Sequence, residues 1–148
     1  MRAGDLAAPF PTVREVTPAL DAARLLAGRN LPGLIVVDDA SRPVTVLPGT
    51  QVLRLVIPSY CQDDPALARV IDEAAADVFL RGVEGRTVAD LLPRERRELP
   101  VVDSQATVLE VAAVMARTRS PLVAVAGRNQ PMLGAITLDA LLDRMLGT

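Results

Sequence analysis

The chain has 148 residues, which suits one compact domain, and half of them are hydrophobic, so a sizeable core can form. The net charge is −2 and no basic tract is present, which argues against a nucleic-acid partner. The sequence contains no histidine, which removes the commonest general base and the commonest metal ligand and disfavours an enzyme.

The remaining composition favours a cytoplasmic bacterial protein. A single cysteine, Cys61, allows neither an intrachain disulfide nor a thiolate zinc site. No segment is typical of a signal peptide, and no apolar run reaches the roughly 18 residues of a membrane span, so we expect no membrane insertion. Arginine supplies all 16 basic residues, which together with the abundant alanine indicates a GC-rich bacterial genome.

The first part of the chain predicts the order β-α-β-β-α after a short helical lead-in at GDL, residues 4–6. An extended segment is expected at 12–16, and Thr17–Pro18 is typical of an N-cap followed by proline at the first helical position. The other expected elements are a helix over about 19–27, strands at 33–37 and 43–47 around a turn, and a short helix that opens at Pro48–Thr50 and runs through Leu55.

The middle of the chain predicts a helical link over about 58–86. Asp64–Pro65 favours the start of a helix that runs to about Leu80, and TVADLL at 87–92 predicts a short capped helix. The basic run RERR at 94–97 is most simply a solvated loop.

The second part predicts the same order of elements more clearly. After an extended piece at 100–102, TVLE at 107–110 is a capping box for a helix with apolar residues at helical spacing. Strands at 122–126 and 132–136 flank the turn GRNQP, and Thr137 is the expected N-cap of a helix from Leu138 to about Leu146.

The two parts are copies of one unit. A shift of 89 positions brings residues 11–55 onto 100–144 without a gap, and it places Pro11 on Pro100 and Pro32 on Pro121. We therefore predict one module over 1–148, with repeat 1 at about 1–57, the link, and repeat 2 at about 87–148.

This arrangement resembles a pair of CBS (cystathionine β-synthase) domains, the Bateman module. The residues that carry the resemblance are LPVVDSQATVLEVAAVM (99–115), SPLVAVA (120–126), LGAITLDALL (133–142) and LPGLIVVDD (31–39). It implies an α/β (α+β) fold of two repeats packed with pseudo-two-fold symmetry. It also implies a cleft that takes AMP, ADP, ATP or S-adenosylmethionine, no required cofactor, and a homodimer.

The resemblance also implies a set of ligand-binding residues. In the family the last strand ends in Gly-apolar-apolar-Thr/Ser, matched by Gly134 and Thr137, and other contacts come from the first strand and from the segment before the second. The matching residues are Thr12, Leu31, Pro32, Gly33, Pro100, Val101, Ser120, Pro121 and Leu122, and Arg119, Asp139 and Thr50 are further candidates beside them.

Both repeats depart from the family pattern. An aspartate three residues after the hydroxyl grips the ribose in the family, but here Ala140 holds that position and Asp139 lies about 100° away around the helix. In repeat 1 the equivalent residues are Pro48 and Gln51, although Thr50 offers a hydroxyl nearby.

Several candidate residues also have structural interpretations. Thr137 could serve only as a helix cap, and Pro32 and Pro121 could fix the start of a strand. Arg117 and Arg119 flank the second cleft, where either could meet a phosphate, but the simpler interpretation is that they are solvated. The pairs Asp38–Asp39 and Asp63–Asp64 favour turns and an N-cap over a metal site. Cys61 has no base partner and is expected to be structural.

Three functional hypotheses follow. The first is a stand-alone regulatory module that binds an adenosine-type nucleotide and modulates a partner enzyme or transporter. The second is a ligand-free dimeric scaffold, an accessory protein of a membrane transporter, with Leu138, Leu141, Leu142 and Met145 forming an exposed helix face for self-association. The third, an enzyme, lacks an acid–base constellation.

Overall fold

The computed structural model describes residues 1–70, 74–96 and 98–147. These parts of the chain contain six strands, eight α-helices and one 3₁₀ helix. The strands are β1 (Thr12–Val13), β2 (Gly33–Val37), β3 (Pro43–Pro48), β4 (Val101–Val102), β5 (Leu122–Ala126) and β6 (Met132–Thr137). The helices are α1 (Ala3–Leu6), α2 (Ala19–Gly28), α3 (Gly49–Val56), α4 (Ser59–Asp63), α5 (Ala75–Val83), α6 (Val88–Leu91), α7 (Val108–Thr118) and α8 (Leu138–Leu146).

The strands form two three-stranded sheets of the same order, β1-β2-β3 and β4-β5-β6. In the second sheet β4 runs parallel to β5, and β5 runs antiparallel to β6 with Leu122 opposite Thr137. The predicted β-α-β-β-α order is therefore confirmed in both repeats, and the fold is a mixed α/β fold.

The shift of 89 residues is visible in the hydrogen bonds. Gly49 N donates to Pro32 O at 3.0 Å, and the equivalent Leu138 N donates to Pro121 O at 3.0 Å. Each bond ties the first residue of the last helix to the proline that precedes the central strand, so the two prolines hold equivalent places in the two copies.

The chain divides into two compact units that do not coincide with the repeats. Unit 1 comprises Met1–Thr12, Ile35–Val46 and Arg97–Thr148, and unit 2 comprises Val13–Leu34 and Leu47–Arg96. In unit 1, one face of the second sheet packs on α7 and α8 through Val123, Val125 and Ile136. The other face contributes Leu122, Ala124 and Ala135 to a second cluster with Ile35 and Val37.

Each lead-in helix packs against the other repeat. In unit 1, α1 lies on repeat 2, where Ala3 N donates to Ala106 O at 2.8 Å. In unit 2, α6 lies on repeat 1, where Val88 N donates to Thr17 O at 2.8 Å. These contacts join residues far apart in the chain. The sequence therefore predicted the two helices but not which repeat each of them packs against.

Three local predictions are wrong. The extended segment at 12–16 shortens to a two-residue strand, because Thr17 N donates to Arg14 O and closes a turn. The hydroxyl of Thr17 accepts from Arg14 N at 3.0 Å, so Pro18 and not Thr17 is the N-cap of α2. Leu141, predicted to be exposed, is 2% exposed because it packs in the core with Val111 and Met115.

The link is also not a single helix from Asp64 to Leu80. After α4, Asp64 has extended backbone (φ −140°, ψ 92°), and Pro65–Val70 forms a 3₁₀ helix whose start is capped by Asp64. Ala74 is again extended, at ψ 140°, before α5 begins. Residues 71–73 of the predicted helix, and Arg97 of the RERR loop, lie outside the described residues.

Candidate functional site

The hydroxyl of Thr137 lies where the last strand of repeat 2 meets its last helix. Leu122 pairs with Thr137 across the sheet, and Ser120 Oγ donates to Leu122 O at 2.6 Å. Thr137 and the Ser120–Leu122 segment therefore form one corner of unit 1, the Thr137 corner. Four of the predicted ligand-binding residues are brought together there.

The predicted N-cap at Thr137 is confirmed. Thr137 Oγ1 accepts from Ala140 N at 3.3 Å, and its backbone is extended (φ −88°, ψ 159°). A hydroxyl that accepts one bond still has its own O–H to donate. Capping and ligand binding are thus compatible at this residue.

The first turn of α8 has the polarity of an anion site but lacks a carboxylate at position 140. Backbone N–H groups at a helix N-terminus favour negative groups such as phosphate. Asp139 and Arg119 are both exposed. The corner therefore offers a hydroxyl, the positive end of the α8 dipole and a neighbouring arginine.

Beside the Thr137 corner, α7 and α8 enclose an open groove of about 510 Å³. Arg119, Ser120 and Pro121 are among the residues that line it. Its other lining residues are largely apolar: Ala112, Met115, Ala116, Leu138, Leu141, Leu142 and Met145. The sequence predicted an exposed apolar face on α8. Of its four residues, the three other than Leu141 are exposed, by 41% at Leu138, 45% at Leu142 and 50% at Met145.

The corresponding corner of repeat 1 lies in unit 2 and has no hydroxyl cap. Pro48 is the N-cap of α3 and makes no side-chain cap hydrogen bond. Thr50 is exposed in the first turn, and Gly33 is buried with its backbone against Leu47 O. Leu31 and Pro32 precede β2 here as predicted, but the corner offers a ligand fewer polar groups.

The remaining predicted residues lie in unit 1 at some distance along the strands. Pro100 O accepts from Ala124 N at 3.0 Å, and Val101 lies opposite Ala124, so both are one strand away from Leu122. Thr12 and Gly134 line a separate cavity of about 270 Å³. Phe10, Ser41 and Met132 also line it and were not predicted, although Phe10 is one of only three aromatic residues.

Asp38 and Asp64 act as turn and cap residues, as predicted, whereas Asp63 is the last residue of α4. Asp38 accepts from Ala40 N, Arg42 N and Arg42 Nε, and the hydrogen bond from the Arg42 backbone is the main cause that lowers the pKa of the Asp38 carboxyl below its ordinary value. Within the described parts of the chain, no three His, Cys, Asp or Glu side chains are grouped to hold a metal ion. Cys61 is buried.

Comparison with known proteins identifies the family. The sequence model of the CBS domain matches residues 3–56 and 88–147. A CBS domain-containing protein of unknown function from Kribbella flavida is 52% identical, with a TM-score of 0.91 over 99% of both chains. No protein among the curated sequences matches the chain.

Two more distant structures share the fold and contain a nucleotide. The complex of CBSX2 with AMP is 22% identical, with a TM-score of 0.68 over 99% of this chain and 96% of that one; CBSX2 is a CBS-pair protein of Arabidopsis thaliana. The CBS domain of a bacterial CNNM/CorC family Mg²⁺ transporter with ATP is 13% identical, with a TM-score of 0.70 over 99% and 88%.

Within the described residues, the structure has no helix of the length and apolar character that crossing a membrane requires.

The family match covers both repeats, and the strand order of the sheet is the same in each repeat. The chain therefore belongs to the CBS domain family and is a tandem CBS pair.

Proposed function

We propose that this CBS pair is a cytoplasmic regulatory module that binds an adenosine-type nucleotide at the Thr137 corner and modulates a partner protein, an enzyme or a transporter. The observation that carries the proposal is the strand–helix junction of repeat 2, where a hydroxyl and the N-terminus of α8 stand together. The AMP and ATP complexes of structures with this fold support the choice of ligand class.

Each polar group at the corner has a distinct role in the proposed binding. The positive end of the α8 dipole attracts phosphate, although Leu138 N and Ala140 N already donate to Pro121 O and Thr137 Oγ1. The Thr137 O–H donates to a phosphate or ribose oxygen. Arg119 adds positive charge beside Ser120 and Pro121. Because Ala140 has no carboxylate for the ribose hydroxyls, recognition depends mainly on the phosphate end of the ligand.

A thermal-shift panel with AMP, ADP, ATP and S-adenosylmethionine tests this proposal. A ligand that binds only the folded protein, at 100 times its Kd, adds about 2.7 kcal/mol to the free energy of unfolding, which for this chain length raises the Tm by roughly 5–10 °C. No shift with any of the four at millimolar concentration contradicts nucleotide binding.

Thr137→Val locates the site, and Thr107→Val is its matched control. Thr107 caps α7 through the same bond, from Glu110 N at 3.1 Å, so each variant loses one cap and about 1 kcal/mol of stability. We expect the ligand-induced rise in Tm to disappear in Thr137→Val and to persist in Thr107→Val. Loss of the rise in both variants would indicate a general effect of decapping.

The second candidate function is a ligand-free dimeric interaction module, an accessory protein of a membrane transporter. The α7–α8 groove favours it, because Leu138, Leu142 and Met145 leave an apolar helix face partly exposed. A protein that forms dimers and shows no thermal shift with any nucleotide would support this function over the first.

A further inference from the structure

Residues 2–8 form a strap along repeat 2, within unit 1. At its N-terminal end Ala3 N donates to Ala106 O at 2.8 Å, and Gly4 N donates to Ser104 O at 2.9 Å. The Arg2 guanidinium donates to Gln105 O at 3.3 Å. The strap is therefore bound to the turn that leads into α7.

The other end of the strap closes the outer edge of β6. Ala8 N donates to Ala135 O at 3.0 Å, and Ala135 N donates to Ala8 O at 2.9 Å. The opposite edge of β6 pairs with β5. Because Ala135 lies two residues before Thr137 on the same strand, the strap holds the strand that carries the Thr137 hydroxyl.

Gly134 makes this approach possible. A Cβ atom at position 134 would lie 2.8 Å from Ala8 O and 3.3 Å from Ala7 Cβ, which is too close for the strap to stay where it is. The contact is with backbone, which cannot rotate away as a side chain can. Gly134 is therefore needed where the strap docks, independently of any ligand contact.

Few side chains of the strap reach the core: Ala3 belongs to the core cluster of repeat 2, and Leu6 and Ala7 pack against that cluster. Ala3 is fully buried, whereas Leu6 and Ala7 are only partly buried and Ala8 is exposed. A segment held chiefly by backbone hydrogen bonds and few buried side chains belongs to the least stable part of a fold and opens locally.

We propose that the strap is a reversible latch on β6 that regulates the Thr137 corner, with Gly134 as its positioning residue. The docked strap keeps both edges of β6 paired and fixes Thr137 at the start of α8. A ligand that needs this geometry binds the docked state preferentially and shifts the population towards it. The coupling rests on the proposed nucleotide binding, whereas docking of the strap does not.

Amide hydrogen exchange of the full chain, with and without millimolar AMP, tests the latch. Gly134→Ala adds the clashing Cβ. Ala8→Pro removes the N–H that donates to Ala135, and Ala7 already has the extended backbone (φ −62°, ψ 132°) that precedes a proline. Gly28→Ala is the control, since no atom lies within 4 Å of its added Cβ.

Without ligand, we expect the amides of Ala3, Gly4 and Ala135 to exchange roughly tenfold faster in Gly134→Ala and Ala8→Pro, and at the wild-type rate in Gly28→Ala. AMP should slow these three amides in the wild type, and its effect on the Tm should be smaller in both latch variants.

The outcomes separate the latch from the proposed function. Equal exchange in Gly134→Ala and the wild type overturns the latch. A rise in Tm with AMP but unchanged exchange of the strap amides overturns the coupling and leaves nucleotide binding intact. Faster exchange in both latch variants with no rise in Tm overturns nucleotide binding and the coupling, and supports docking of the strap through Gly134.

Discussion

At the scale of single residues, the two repeats differ at the start of their last helices. Thr137 caps α8 through its hydroxyl, whereas Pro48, 89 positions earlier, begins α3 without a side-chain hydrogen bond. A proline has neither a hydroxyl nor an N–H to offer a ligand. The difference favours the Thr137 corner over its counterpart as the proposed nucleotide site.

A single substitution is also expected to raise the affinity for AMP. Ala140→Asp places a carboxylate three residues after Thr137, where the family pattern has one, and its hydrogen bonds to the ribose should tighten AMP binding roughly tenfold or more. Isothermal titration calorimetry measures the change. Gln51→Asp is the matched control, because Pro48 supplies no hydroxyl there; a similar gain in both variants would contradict the assignment to repeat 2.

At the scale of elements, close backbone approach shapes the link. A Cβ atom on Gly82 would lie 2.6 Å from Val56 Cβ, so α5 can lie this close to α3 only because residue 82 is glycine. Both helices belong to unit 2, where Val56 and Val83 are buried. This contact fixes the last part of the link against repeat 1.

Gly82→Ala should therefore lower the free energy of unfolding by about 1–3 kcal/mol, the usual cost of overpacking. Urea unfolding at equilibrium measures it. Gly28→Ala should change stability by less than about 1 kcal/mol, towards greater stability, since its Cβ points into open space. An equal effect of the two substitutions would contradict the close contact.

Local signals in the sequence predicted where helices and strands lie better than they predicted which elements pack together. The capping threonines 107 and 137 and the apolar spacing of repeat 2 are encoded within a few residues, and their helices begin as predicted. The link was mispredicted because Asp64 and Ala74 interrupt a helical pattern with extended backbone. The role of Gly134 could not be predicted, because Ala8, whose backbone lies against Gly134, is 126 positions away in the chain.

At the scale of the whole molecule, the exposed apolar face of α8 predicts self-association. Leu138, Leu142 and Met145 are each about half exposed, which is unusual for a contiguous set of large apolar residues. Burial of such a face in a two-fold dimer removes it from water.

We expect the wild-type protein to be a dimer through this face, and Leu142→Glu, which places a charge in the face, to be a monomer. Light scattering coupled to size-exclusion chromatography measures the mass. Leu133→Glu is the matched control, since Leu133 is 67% exposed on β6 and not on the helix face. A wild-type protein that is monomeric, or a Leu142→Glu variant that remains dimeric, would contradict association through α8.

The most direct test of nucleotide binding at the Thr137 corner is a titration of the ¹⁵N-labelled protein with AMP, followed by amide chemical shifts. The largest changes are expected at Ser120, Leu122 and residues 137–140, where the hydroxyl and the first-turn N–H groups of α8 lie. Changes confined to the hairpins at 38–42 and 127–130, or no change at millimolar AMP, would contradict it.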